Sequence, residues 1–220
     1  MGASGGFPID LVLFGMIAAF LVLRLRGVLG RRQGFERPVD PRAAVGPRAA
    51  EAPTIDVVAE RAPARPLPDP AGPVGQALAR MQAIDRDFQA TRFLDGAEAA
   101  FKLIVGAFAA GNRDTLRPLL SEDTFKAFDT AITARESAGE TRRTEVRAIN
   151  AATIEAADLR GAIADISVRF VTDQVNLTLG RDGAVVEGTD AVTEIVDLWT
   201  FERNLTLPDP TWRLVAARSA

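Results

Sequence analysis

The side chains able to do chemistry near neutral pH are few. The chain has no His, no Cys and no Tyr among its 220 residues. That removes thiolate nucleophiles, Ser–His or Cys–His pairs, and every metal site built on imidazole or thiolate. It also removes disulfides, which leaves the redox compartment open. No GxxxxGK[ST] loop is present, and no GxGxxG follows a strand. No cofactor and no metal is expected. What remains is carboxylate chemistry, and Asp197 is its best candidate. Two-residue spacing places it on one strand face with Trp199 and Phe201, so an apolar pocket could raise its pKa toward that of a general base. The competing reading pairs it across the sheet with Arg169 or Arg213. A ketosteroid-isomerase-like mechanism would also need an oxyanion donor, commonly Tyr, and there is none.

The aromatic residues Phe101, Phe108, Phe125, Phe128, Phe170, Trp199, Phe201 and Trp212 read first as a core. As a second reading, they and Asp197 form the candidate lining of a pocket left at the open end of a cone.

The elements that would position these groups are helical first and extended afterwards. From Val74, the residues Leu78, Met81, Ile84, Asp85 and Phe88 follow three- and four-residue spacing. A second helix is expected over Phe93 to Ala110, stopped by Gly111-Asn112. Asp114 is the expected cap of a short helix, Thr115 to Leu120. Ser121 caps a further helix that ends at Gly139. Beyond Gly139 the period becomes two. Strands are expected over about Thr144 to Asp158, Gly161 to Asp173, Val192 to Arg203 and Trp212 to Arg218. Turns are expected at Leu159-Arg160-Gly161, Asp182-Gly183 and Pro208-Asp209-Pro210. On the second strand Ala162, Ala164, Ile166, Val168 and Phe170 share one face. Helices followed by strands give an α+β class, with the helices on one face of a curved antiparallel sheet.

The N-terminal third is different. From Ile9 to Leu23 the chain is apolar apart from Asp10, with Leu13, Phe14, Ile17, Phe20 and Leu21 facing lipid. As a helix, Phe7 to Leu25 spans about 28 Å, near the roughly 30 Å of a hydrocarbon core. Arg24, Arg26, Arg31 and Arg32 follow it, and no basic side chain precedes it. The positive-inside rule then puts the C-terminal side of the run in the cytoplasm. The Leu-Arg-Leu-Arg run lacks a cleavage site, so an uncleaved single-pass anchor is expected. Residues 1–37 carry five basic and two acidic side chains (net +3), whereas residues 74–220 carry 17 and 22 (net −5). The basic flank suits anionic lipid, and the acidic domain is a poor nucleic-acid binder. Between them, residues 38–73 hold nine prolines and read as a semi-extended tether. The expected organisation is thus an anchor (1–37), a linker (38–73) and an α+β domain (74–220).

Four phrases carry a resemblance: FLDGAEAAFKLIVGAFAAGNRDTLRPLLSEDTFKAFDTAI (Phe93 to Ile132), ADISVRFVTDQV (Ala164 to Val175), EIVDLWTFERNL (Glu194 to Leu205) and PTWRLVAAR (Pro210 to Arg218). In this order and spacing they resemble the Tim44-like family. The short anchor, LRLRGVLGRR (Leu23 to Arg32) and proline-rich tether are similar to its alphaproteobacterial members. The resemblance implies a cystatin-like, nuclear-transport-factor-two-like domain. The mitochondrial relative is a membrane-associated subunit of the inner-membrane presequence translocase; it recruits the matrix seventy-kilodalton heat-shock chaperone and contacts anionic lipid. Its first helices, here about Val74 to Phe93, are implicated in membrane association. The expectation is a non-enzymatic protein of the bacterial inner membrane. Its cytoplasmic domain would bind anionic lipid or an unidentified protein partner, such as a chaperone or an envelope complex. The alternative is a small-ligand carrier or acid–base enzyme using the apolar pocket.

Overall fold

The structure is a computed structural model that describes residues 65–219. The expected anchor, with Leu13, Phe14, Ile17, Phe20, Leu21, Arg24, Arg26, Arg31 and Arg32, lies outside the described residues. Among the described residues no helix is long and apolar enough to cross a membrane.

Helix α1 runs Pro73–Ile84, with Pro73 in its first turn, where a missing N–H costs nothing. It buries Leu78 and Met81, but Ile84 is 42% exposed. The periodic pattern overran here. The chain turns at Asp85, and Phe88 reaches the core from the turn, its N–H donating to the Asp85 carbonyl at 3.0 Å. Helix α2, Ala90–Ala110, buries Phe93, Leu94, Ala97, Phe101, Ile104 and Ala107. Gly111, at φ 68°, ends it by donating back to the Ala107 and Phe108 carbonyls.

The short third helix is a correction. Helix α3 spans only Arg113–Leu116, and Asn112 caps it: its side chain accepts the Thr115 N–H at 3.1 Å. Pro118 explains the early stop, because proline has no N–H to continue the ladder, even though Arg117 keeps helical geometry and Leu120 still donates to the Leu116 carbonyl at 3.2 Å. Helix α4, Glu122–Ala138, starts on Ser121, whose hydroxyl accepts the Thr124 N–H at 3.3 Å, and it ends on Gly139 at φ 70°. Arg113 ties α3 to α4 through Asp129 at 2.6 Å and Glu136 at 2.9 Å.

Strands β1 (Thr141–Arg160), β2 (Ile163–Leu179), β3 (Val185–Asn204) and β4 (Arg213–Ser219) form one antiparallel meander in the order β1-β2-β3-β4. Three register shifts in β1 blur its period, which is why it read weakly; such bulges bend a strand, and they curve this sheet. Strand β3 starts seven residues earlier than expected, since its first half is exposed on both faces and shows no alternation. The first turn lies at Gly161-Ala162, because β1 continues through Arg160.

The helices cover one sheet face. On β2 this face carries Ala164, Ile166, Val168 and Phe170, all fully buried. Each large apolar side chain so buried contributes roughly 1.5–3 kcal/mol. Past Phe170 the same face turns polar without orphaning its groups. Arg142 donates to Thr144, Thr144 to Asn176, Asn176 to Gln174, Gln174 to Thr172, and Thr172 to the Ile195 carbonyl.

Candidate functional site

A cavity of about 360 Å³ opens where the α1–α2 turn, the first turns of α2 and the β3–β4 connection meet. Helical spacing puts Phe93, Gly96, Ala97 and Ala100 on the α2 face that lines it, with Arg92 beside them. Phe201 comes from β3, and Thr211 and Trp212 from the connection before β4. The aromatic wall is self-supporting. Phe93 meets Trp212 edge-on at 4.8 Å and Phe201 edge-on at 6.0 Å, while Phe88 lies 6.0 Å from Trp212. Such ring pairs add about 0.5–1.5 kcal/mol each beyond burial.

Two polar devices hold this wall in place. The Arg203 guanidinium pairs with Asp85 at 3.0 Å and donates to the Asp209 carbonyl at 3.2 Å, clasping the α1–α2 turn to the β3–β4 connection. Both paired side chains are largely buried, at 14% and 15% exposure. Asp209 shapes the connection itself, accepting the Thr211 N–H at 3.0 Å and Arg213 at 3.1 Å. Hydrogen bonds from Thr211, aided by the charges of Arg213 and Arg203, hold its carboxyl below the usual aspartate range. Arg92 is exposed at the rim and pairs with no carboxylate among the described residues. The recess therefore combines an apolar wall with two charged lining side chains of opposite sign, Arg92 and Asp87.

The nine residues expected to line a pocket are dispersed. Phe201 and Trp212 line the cavity. Phe101 is fully buried, 4.6 Å from Phe170 and 4.5 Å from Trp199, as the centre of the core. Phe108 and Phe128 meet edge-on at 4.9 Å in the α2–α4 seam, with Arg135 over Phe108. Phe125 lies under the Arg117 guanidinium at 4.2 Å. Asp197 is away from the cavity, opposite Phe170 on β2 and Ser219 on β4. Its partner is the Ser219 hydroxyl, which donates at 3.0 Å, in place of Arg169 or Arg213. Burial pushes its carboxyl above the usual aspartate range, and the Ser219 hydrogen bond pulls it partly back.

Phe88, Arg92, Phe93, Gly96 and Arg203 belong to the site as well, although none is among the residues expected to line a pocket. The available signal was the aromatic pair at 88 and 93 flanking a helix start, together with Trp212 after a Pro-Asp-Pro turn. Among the described residues no group of carboxylates is arranged to hold a metal ion.

Three helices and a helical turn folded over one face of a four-stranded antiparallel meander define an α+β domain with an apolar recess at its edge. A model of the Tim44-like domain matches residues 74–219. The chain belongs to the Tim44-like family. No curated protein matches it. The intermembrane-space region of the chloroplast protein ARC6 superposes on it with a TM-score of 0.44 at 8% identity, covering 60% of this chain and 97% of that one.

Proposed function

We propose that this is a non-enzymatic, single-pass protein of the bacterial inner membrane. Its domain, tethered on the cytoplasmic side, docks a protein partner or anionic lipid through the cavity. Membership of the Tim44-like family supports a membrane-associated, transport-related role. The apolar run with its arginine flank supports the anchor and its orientation.

The observation that carries the reading is the recess itself. An aromatic wall braced by the Asp85–Arg203 clasp, with Arg92 and Asp87 in its lining, suits an apolar group that carries a polar or charged end. The acid–base alternative draws no support from the geometry, since Asp197 does not face this cavity.

A photo-crosslinking residue placed at Thr211 in the intact, membrane-embedded protein tests the reading. A control position at Leu103, which is 50% exposed and does not line the cavity, gives the background. A discrete adduct to a protein or a phospholipid from position 211 alone is expected. Equal labelling from both positions refutes docking at the cavity. Recovery of the protein in the soluble fraction after carbonate extraction refutes the anchor.

A further inference from the structure

Among the described residues the sheet has two stretches of edge without a partner strand, the outer side of β1 and the upstream half of β3. Strand β4 pairs with β3 only over Asp197–Glu202. Its own outer edge is occupied at Leu214, which donates to the Leu119 carbonyl at 2.8 Å and accepts the Ser121 N–H at 2.9 Å. Upstream, Val185–Val196 pairs with β2 on one side and, among the described residues, with no strand on the other. Proteins usually guard such an edge with charged side chains, proline, bulges or a cover. Here the stretch from Val185 to Val196 has no Lys, Arg or Pro, and its exposed charges, Asp190 and Glu194, are both acidic, a guard that repels a like edge and admits a basic one. Val185, Val186 and Val192 are 60%, 58% and 56% exposed.

A bulge divides the edge. Thr193 opposes Gln174, and the next partners are Thr189 and Asn176, so β3 has two extra residues there. A second shift skips Val186, since Leu179 opposes Val185 and Thr178 opposes Glu187, so the regular ladders are Glu187–Thr189 and Thr193–Val196. Each turns one row of backbone N–H and C=O groups away from β2. The second continues the line that β4 occupies beside Asp197.

We propose that this edge is a strand-addition site for an extended, basic segment of a partner polypeptide, one that alternates apolar residues with Lys or Arg. Backbone bonds to the bare ladder supply affinity, and alternate side chains supply selectivity. The acidic side chains choose a basic partner, and the exposed valines receive its apolar positions. Pairing β3 with the same strand of a second copy would set acids against acids, which is destabilising. None of the residues Val185–Val196 lines the cavity, so this site and the docking cavity stand or fall separately.

The test uses the intact protein in nanodiscs. The probe is a fluorescein-labelled peptide of roughly nine residues, about one and a half times a common strand, alternating Val with Lys and Arg. Saturable anisotropy is expected. Converting Asp190→Lys and Glu194→Lys together, both exposed, should weaken binding about tenfold or more. A peptide with alternate amides N-methylated should lose a similar factor against the unaltered protein, because it cannot complete the ladder. Absence of binding overturns the proposal. So does equal binding of the N-methylated peptide, which would mean charge attraction alone. Equal binding by the charge-reversed protein places the site elsewhere and overturns it too. A doubled mass in light scattering that Val192→Lys abolishes would hand the edge to a second copy and equally overturn it.

Discussion

Substituting Gly96 separates the cavity's role from the fold's stability more cleanly than any other single change. Gly96 sits within α2 and lines the cavity, and a Cβ built there meets nothing within 4 Å. Gly96→Leu therefore removes a helix-interior glycine without a clash. The propensity gain is roughly 0.6–0.8 kcal/mol, which raises the melting temperature by about 2 °C in a domain of this size. The leucine side chain projects into the space an occupant would fill. An occupant that seats one large apolar group there forfeits about 1.5–3 kcal/mol, a factor of roughly 10 to 150 in affinity. The assay combines thermal unfolding with the crosslinking yield from Thr211 in membranes. A protein that is more stable and crosslinks at least about tenfold less fits the account. A stabilised protein with undiminished crosslinking would refute the reasoning, because the cavity would then be a mere packing gap.

Three further outcomes are expected. Phe101→Ala, in the fully buried stack with Phe170 and Trp199, should cost about 3–5 kcal/mol in urea unfolding. Gly139→Ala should cost about 1–2 kcal/mol for its left-handed backbone. A further penalty arises because its Cβ would collide with the Arg181 side chain, whose guanidinium bonds the Ala138 and Ser137 carbonyls and would have to move. Gly161→Ala, at φ 63° with open space around it, should pay the backbone cost alone, so the difference measures the Arg181 clash. Asp197 should carry a pH signature. Burial raises its carboxyl in the folded state, so the fold binds that proton more tightly than the unfolded chain does. Stability from this group is complete below the ordinary aspartate pKa and falls as pH rises toward the folded value. Asp197→Asn cannot ionise, so its stability relative to the parent should improve from about pH 4 upward. Parallel stability curves would show that the carboxyl is solvated.

The sequence disclosed the architecture where one face is buried and the other is wet. Strand β2 alternated because Ala164, Ile166, Val168 and Phe170 point into the core. Ser121, Gly111 and Gly139 marked helix ends because capping is local chemistry. The first half of β3 was illegible because it is exposed on both faces, and β1 because its bulges shift the period three times. The cavity was hidden for another reason. Phe88 lies in a turn, where periodicity says nothing about direction, and Arg203 meets Asp85 across 118 positions of chain. The aromatic residues were legible as a class, but which of them fill the core and which wall a recess depends on tertiary packing. Trp199 and Phe201 alternate correctly on one face, yet Trp199 packs on Phe101 while Phe201 borders the cavity.

The claim on which the rest depends is that position at the membrane, together with a docking recess, is the protein's activity. The direct measurement is rescue of a strain lacking the protein by a chain without residues 1–37. It is compared with the intact chain and with one whose anchor is replaced by an unrelated transmembrane helix. Failure by the untethered chain, at equal abundance and with a folded spectrum, and recovery with the foreign anchor are the predicted results. Full rescue by the untethered chain would contradict the account.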